Sequence, residues 1–262
     1  MNNFDKILDY IERATKSGVN LIAFAEFILT GAQFKREFFK LAEAIPCPAT
    51  KTVSDKIKGT EMYVTFGMPE LRNGFVYNSA SFLAPQGLVG IWRKLFLPTL
   101  TTNTSVCDES MWFRKGNVLE TFDTSFGKLG IEICYDFWFS ETARTHALRG
   151  AMLILNLSAA RGTIPENFQL LSRVRAMENI CWFGYINCVG AQANWRYTGG
   201  TCIVDQPGDI VKSASIGEDA KEEIVEHAIN LDTAVQTRLG QAILRDVRTD
   251  ILRQAAEAAE KN

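Results

Sequence analysis

The stretch LGIEICYDFWFSETARTHALRGAMLILNLSA, residues 129–159, holds two kinds of periodicity side by side. LGIEICYD (129–136) and AMLILNLSA (151–159) are short apolar runs, the pattern of strands buried on both faces, and ETARTHALRG (141–150) between them reads as a helix. Strand–helix–strand units of this kind build layered α/β structure. The theme continues downstream. PENFQLLSRVRAMEN (165–179) is a helix with Pro165 near its start, and ICWFGYINCVG (180–190), GGTCIVDQPG (199–208), DIVKSAS (209–215) and EEIVEHAINL (222–231) read as four more strands, with a turn at Pro207-Gly208. The region from about 232 to 260 is helical and charged.

Upstream, Phe4, Ile7, Leu8 and Ile11 fall at helical spacing over residues 3–17, and Gly18 stops that helix. VNLIAFAE (19–26) and EMYVTFGMPE (61–70) read as strands on either side of a polar helical region covering about 33–58. VYNSASFLAP and GLVGIWRK flank Gln86-Gly87 as a hairpin. Residues 95–116 lack periodicity and predict a long loop, which in a compact domain is more often functional than idle. No composition break marks a linker, so the expectation is an α/β (α+β) sandwich forming one domain over 1–262.

The chain has 262 residues, 47% of them hydrophobic, ample for a sizeable core, and a net charge of −2 without a basic stripe argues against nucleic acid as a partner. The start, MNNFDKILDYIERATKSG, carries acids and is no signal peptide, and runs such as ICWFGYINCVG are far shorter than the roughly 20 residues that span a bilayer. A cytoplasmic protein without membrane contact is expected. The six cysteines form no C-x-x-C pair and only His146 and His227 accompany them, so neither a metal site nor a disulfide framework is expected.

Cys134 differs from the other five because it ends an apolar strand and precedes a helix. Such a turn exposes a side chain beside free backbone N–H groups, which favour a thiolate. A cysteine nucleophile needs a base, and neither histidine is well placed for the task, since His146 lies inside the following helix and His227 in a late strand. A buried carboxylate can serve instead. Glu26 interrupts the apolar run LIAFAEFIL at a strand end, where an unpaired charge would cost several kcal/mol. Lys94 ends GLVGIWRK and opens the long loop that holds Glu109. Taken singly, each of these residues reads as an ordinary surface or packed side chain.

Taken jointly, the positions resemble the nitrilase superfamily of carbon–nitrogen hydrolases over nearly the whole chain. LIAFAEFILTG is similar to the family's first motif and puts its catalytic glutamate at Glu26; YNSASFLAPQGLVGIWRKLFLP gives Lys94; LGIEICYDFWFSETAR gives Cys134; and DESMWFRKGN gives a further glutamate, Glu109. RAMEN (175–179) and GGTCIVDQPGDIV (199–211) resemble two more signatures. The family's proline before the first glutamate is Ala25 here, and another after the nucleophile is Ser140. Family members begin with a strand ahead of the first helix, and this sequence opens within that helix, so the usual first strand is not expected.

The resemblance implies a four-layer α-β-β-α sandwich with a thiol site at the strand ends and no cofactor or metal. It implies Glu26 as base and acid, Cys134 as nucleophile, Lys94 and the Tyr135 backbone N–H as oxyanion donors, and Glu109 as the group that holds Lys94. Trp138, Asn156, Ser158, Arg161, Trp195 and Arg196 are candidate pocket residues on the loops after two strands. Cys134-Tyr135-Asp136 resembles the amidase and carbamoylase branches, whereas nitrilases proper carry Cys-Trp-Glu. The substrate expected is a small amide, with an N-carbamoyl compound as the alternative; a catalytically silent subunit of this fold also stays open. A homodimer or higher homo-oligomer, pairing through 141–149 and 232–260, is expected.

Overall fold

The structure is a computed structural model that describes residues 2–32, 37–101, 106–161, 165–192 and 195–261. It opens with α1 (Asn3–Lys16), where the Asn2 side chain accepts from the Asp5 N–H and Asp5 returns the bond in a capping box. Ile7 and Ile11 form the buried stripe of this helix, as their spacing predicts.

The first sheet holds four strands, β1 (Leu21–Ala23), β2 (Tyr63–Arg72), β3 (Phe75–Ala84) and β4 (Gly87–Arg93), in that spatial order. β1 lies parallel to β2 and the rest are antiparallel. The polar helical region before β2 holds two helices, α2 (Glu37–Leu41) and α3 (Pro48–Ile57); its first residues, 33–36, lie outside the described residues. Pro48 at the first helical position fixes the start of α3, where its missing N–H costs nothing.

The loop over 95–116 is more structured than its composition predicts. A short antiparallel pair, β5 (Thr99–Thr101) and β6 (Val106–Asp108), is followed by a 3-10 turn over Glu109–Met111. Polar β-branched threonine suits a strand as well as a loop, so composition alone could not separate the two.

The second sheet contains β7 (Thr121–Thr124), β8 (Gly127–Ile133), β9 (Leu153–Ser158) and β10 (Trp182–Asn187), while β11 (Val189–Gln192) and β12 (Trp195–Thr198) form a separate ribbon. β13 (Cys202–Val204) and β14 (Ile210–Ser213) complete it, in the order β14-β13-β10-β9-β8-β7. β8, β9 and β10 are parallel, and their crossovers are α4 (Ser140–Leu148) and α5 (Glu166–Asn179).

Strand alternation explains the layers. Leu129, Ile131, Ile133, Leu153, Leu155 and Leu157 pack with Ala80, Phe82 and Trp92 of the first sheet, so the two sheets share one core. Ile154, Phe183 and Tyr185 face the opposite way, with Phe137 and Ala176 among the helices. Ile7, Ile11, Val53 and Ile57 cover the outer face of the first sheet through Val64 and Phe66. The expected α-β-β-α layering is observed.

EEIVEHAINL differs from expectation: residues 221–230 join no ladder among the described residues. A strand exists only beside a hydrogen-bonding neighbour, and apolar alternation cannot supply one. The end of the chain forms α6 (Asp232–Gly240) and α7 (Thr249–Ala259). Arg238 of α6 donates to the carbonyls of Ala151, Asn179 and Ile180 and so ties α6 to the end of α5.

Candidate active site

Glu26 leaves the end of β1 and is followed by Phe27 at φ 53°, an unusual conformation for a bulky side chain. The turn is held by the Thr30 and Gly31 N–H groups, which donate to the Phe27 carbonyl at 3.1 and 2.7 Å. Phe27 is anchored against Phe38 and Phe113, with ring centroids 5.0 and 5.5 Å away. Gly67 of β2 makes room for this segment, because a Cβ there would sit 2.7 Å from the Glu26 Cα.

Lys94 is the residue after β4, and its backbone is fixed by bonds to Asn78 and Gly116 at 2.9 and 2.8 Å. The neighbouring Arg93 points away to a separate ion pair with Glu70. Glu109 heads the 3-10 turn, and its N–H donates to the Pro98 carbonyl at 3.0 Å. These elements converge. Lys94 Nζ donates to Glu26 Oε1 and to Glu109 Oε1, both at 2.9 Å, with all three side chains buried. Asn78 Nδ2 donates to Glu26 Oε1 at 2.7 Å, and the Ala159 N–H to Glu26 Oε2 at 2.8 Å.

Cys134 follows β8 directly and begins a 3-10 turn through Trp138. Its φ is 45°, a left-handed conformation that costs a non-glycine residue roughly 1–2 kcal/mol. The Asn156 side chain donates to the Cys134 carbonyl at 3.3 Å. The thiol lies within the fields of Glu26, Lys94 and Glu109, and the Ala159 N–H reaches it as well.

Burial pulls the Lys94 ammonium down, yet the Glu109 and Glu26 charges, helped by Cys134, hold it well above its ordinary range. Burial also lifts Glu109 to about 7, with Glu26 adding to the rise and Lys94 opposing it. The Cys134 thiol is held well above its usual value, first by burial and then by Glu26, while Lys94 and the Ala159 N–H pull the other way. At rest the site therefore holds a neutral thiol beside a buried cation and two carboxyl groups.

Neither histidine belongs to it. His146 packs beside Trp92 with Nε2 3.1 Å from the Ile131 carbonyl, and burial lowers it to about 4. His227 lies beside Trp182.

Glu132, two residues before Cys134, is buried on the helix side of β8 and pairs in register with Asn156. Burial raises it from 4.5 to about 8, with Asp136 adding to the rise while Thr142, Arg175 and Asn156 oppose it. Because the folded value exceeds the unfolded one, stability falls as pH rises through this window, and the penalty is complete above about 8. Glu132→Gln is therefore expected to raise stability by on the order of 4 kcal/mol at pH 9 and by little at pH 4.5. Denaturant titrations at the two pH values check this, and an equal shift at both would contradict it.

The candidate pocket residues separate into groups. Asn156 and Ser158 are buried behind Cys134, with Ser158 Oγ donating to Asn156 Oδ1 at 2.6 Å. Trp138 is half exposed and meets Phe168 edge-on. The Arg161 guanidinium stacks on the Trp195 ring at 3.0 Å. Arg196 donates to the Glu218 carbonyl at 2.7 Å. Two partners of Glu26 escaped the sequence reading. Asn78 had a signal, a polar residue inside an apolar strand; the Ala159 N–H had none, because every residue but proline carries one.

The sequence and the fold coincide with a known family. A family model for carbon-nitrogen hydrolases matches residues 1–239, and the chain belongs to that family. A probable nitrilase of Schizosaccharomyces pombe is 30% identical over 244 residues, covering 90% of this chain and 86% of the relative. Omega-amidase NIT2 of Mus musculus is 28% identical, covering 95% and 91%. Among solved structures, Nit3 of Saccharomyces cerevisiae, a member of branch 10 of the nitrilase superfamily, superposes with a TM-score of 0.79 at 26% identity, covering 91% of this chain and 87% of that one. No described helix is long and apolar enough to cross a membrane.

Proposed function

We propose that this chain hydrolyses the carbon–nitrogen bond of a small-molecule amide through a thioester on Cys134. The observation that carries the reading is a buried Lys94 shared at 2.9 Å by Glu26 and Glu109, with the Cys134 thiol within their fields. Glu26 accepts the thiol proton as sulfur attacks the amide carbon, and Lys94 with the Tyr135 N–H stabilises the oxyanion. Glu26 then passes that proton to the departing nitrogen, the carbon–nitrogen bond breaks, and ammonia or an amine leaves. Water gives a proton to Glu26 and adds to the thioester carbon; the thiolate departs, recovers the proton and frees the acid.

Glu109 holds Lys94 in place. The similarity to omega-amidases favours an amide substrate over an N-carbamoyl one, and the presence of all four residues argues against a silent subunit. Exposed Ile251 and Leu252 on α7, with Leu148 at the end of α4, supply apolar surface for the homodimer.

Ammonia release over a panel of small amides, ureido acids and nitriles tests the reaction class. The two carboxylates separate by role. Glu26→Gln is expected to stop both thioester formation and its hydrolysis, whereas Glu109→Gln still accumulates thioester slowly. Intact-mass spectrometry after substrate addition distinguishes them, and normal turnover by Glu26→Gln excludes it as the base.

A further inference from the structure

Asp136 lies two residues beyond Cys134 and is fully buried. Its Oδ1 accepts from the Leu95 and Phe96 N–H groups, both at 2.9 Å, and its Oδ2 from Trp92 Nε1 at 3.0 Å and the Ile133 N–H at 3.1 Å. Trp92, Leu95 and Phe96 bracket Lys94 on the segment leaving the first sheet. Ile133 is the last residue of β8 in the second sheet, immediately before Cys134. A side chain that merely closed its own 3-10 turn would need only the Ile133 bond, and three of the four bonds leave that turn.

The contact has a specific geometric consequence. Around Asp136 the two sheets meet through apolar packing of Trp92, Ile131 and Ile133, which is non-directional and tolerates sliding. Other polar ties between them, from the Ala159 N–H to Glu26 and from the Ser125 N–H to Tyr63, lie on other segments and do not reach the stretch that carries the Lys94 backbone. Four hydrogen bonds converging on one carboxylate are directional and fix how the Lys94 segment stands over the Cys134 turn. Burial pushes the Asp136 carboxyl up to about 6, while the Phe96 N–H, the Trp92 indole, the Ile133 N–H and the Lys94 charge hold it down. Four N–H donors aimed at its two oxygens favour the ionised carboxylate, which alone accepts all four bonds. An asparagine cannot replace it, because in either orientation its NH₂ faces two N–H donors.

We infer that Asp136 is a positioning residue, a clamp between the two sheets that sets the distance from the Lys94 ammonium to the Cys134 sulfur. This rests on the reading of Lys94 and Cys134 given above. A displacement of about 1 Å in such a site costs about 10²-fold in rate.

The test measures alkylation of Cys134 by iodoacetamide against pH, followed by intact mass and peptide mapping, with the melting midpoint recorded separately. In the wild type Cys134, although neutral at rest, is expected to react faster than buried Cys47, Cys181 and Cys202, because it is partly exposed and Glu26 can take its proton as the sulfur attacks. Asp136→Asn should slow its alkylation by about 10–100-fold and move the pH midpoint upward, since Lys94 favours the thiolate and is displaced. Asp136→Glu keeps the charge but pushes the two segments apart, so the same direction of change is expected, and it decides the matter should Asp136→Asn not fold. A folded variant with a lower melting midpoint but an unchanged alkylation rate and pH midpoint overturns the clamp. A wild type in which buried Cys47, Cys181 or Cys202 reacts before Cys134 removes the nucleophile reading, and the clamp with it.

Discussion

Cys134→Ala is expected to release ammonia at no more than about 10⁻⁴ of the wild-type rate while melting no lower than the wild type. The sulfur is the group that bonds to carbon in the proposed reaction, and no other described cysteine can replace it. Cys47, Cys181 and Cys202 are buried, and the Cys188 sulfur is turned to the Glu26 backbone, donating to its carbonyl. Stability should survive because Cys134 is only partly buried, so truncation leaves little cavity, and alanine bears the left-handed backbone no worse than cysteine. Cys134→Ser should be equally silent, since a hydroxyl is far less acidic than a thiol. Ammonia assays and thermal melts read both halves, and turnover within tenfold of wild type would end the assignment.

Lys94→Met should cost both activity and fold. The substitution leaves Glu26 and Glu109 facing each other without a cation, and removing one partner of a buried ion pair typically costs about 3–5 kcal/mol. Relief comes by protonation. Glu109 already stands at about 7 with Lys94 opposing the rise, so its folded value climbs further once the ammonium is gone. A carboxyl with a raised folded value destabilises as pH increases, so the variant should be weakest above pH 7 and recover toward pH 5. Adding Glu109→Gln should restore part of the stability and none of the turnover, because the oxyanion donor stays absent. Denaturant midpoints across pH measure this, and a Lys94→Met protein within about 1 kcal/mol of wild type at pH 8 would contradict the shared-cation picture.

What could be read without coordinates was decided by the cost of burying charge. Glu26, Lys94 and Cys134 each terminate an apolar run, and polar groups at such places either reach water or meet partners; here Glu26 and Lys94 meet one another, and Cys134 lies within their fields. The helix pattern around Ile7 and Ile11 and the apolar runs of β8 and β9 were equally plain, because helical spacing and an uninterrupted apolar stretch are both local signals. The failures have a common cause. Residues 222–231 have the composition of a strand but lack a ladder, β5 and β6 pair across a segment of loop composition, and the bond from Ala159 to Glu26 uses a main-chain group. All three depend on which backbone lies alongside, a property that no residue type encodes. Asp136 sits between the cases: its identity was visible beside Cys134, but its tie to Trp92 and Leu95 was not.

The left-handed backbone at Cys134 has a bearing on how lineages of this fold lose their chemistry. Glycine occupies that conformation without steric penalty, so it would be favoured by up to roughly 1–2 kcal/mol wherever turnover no longer matters, and asparagine, which tolerates it, by less. Drift after a loss of function should then act first at position 134, erasing the nucleophile before it touches Glu26 or Lys94, whose removal would strand a buried charge. A paralogue bearing glycine at this position with the ion cluster intact would be a protein that has kept its architecture and retired from hydrolysis.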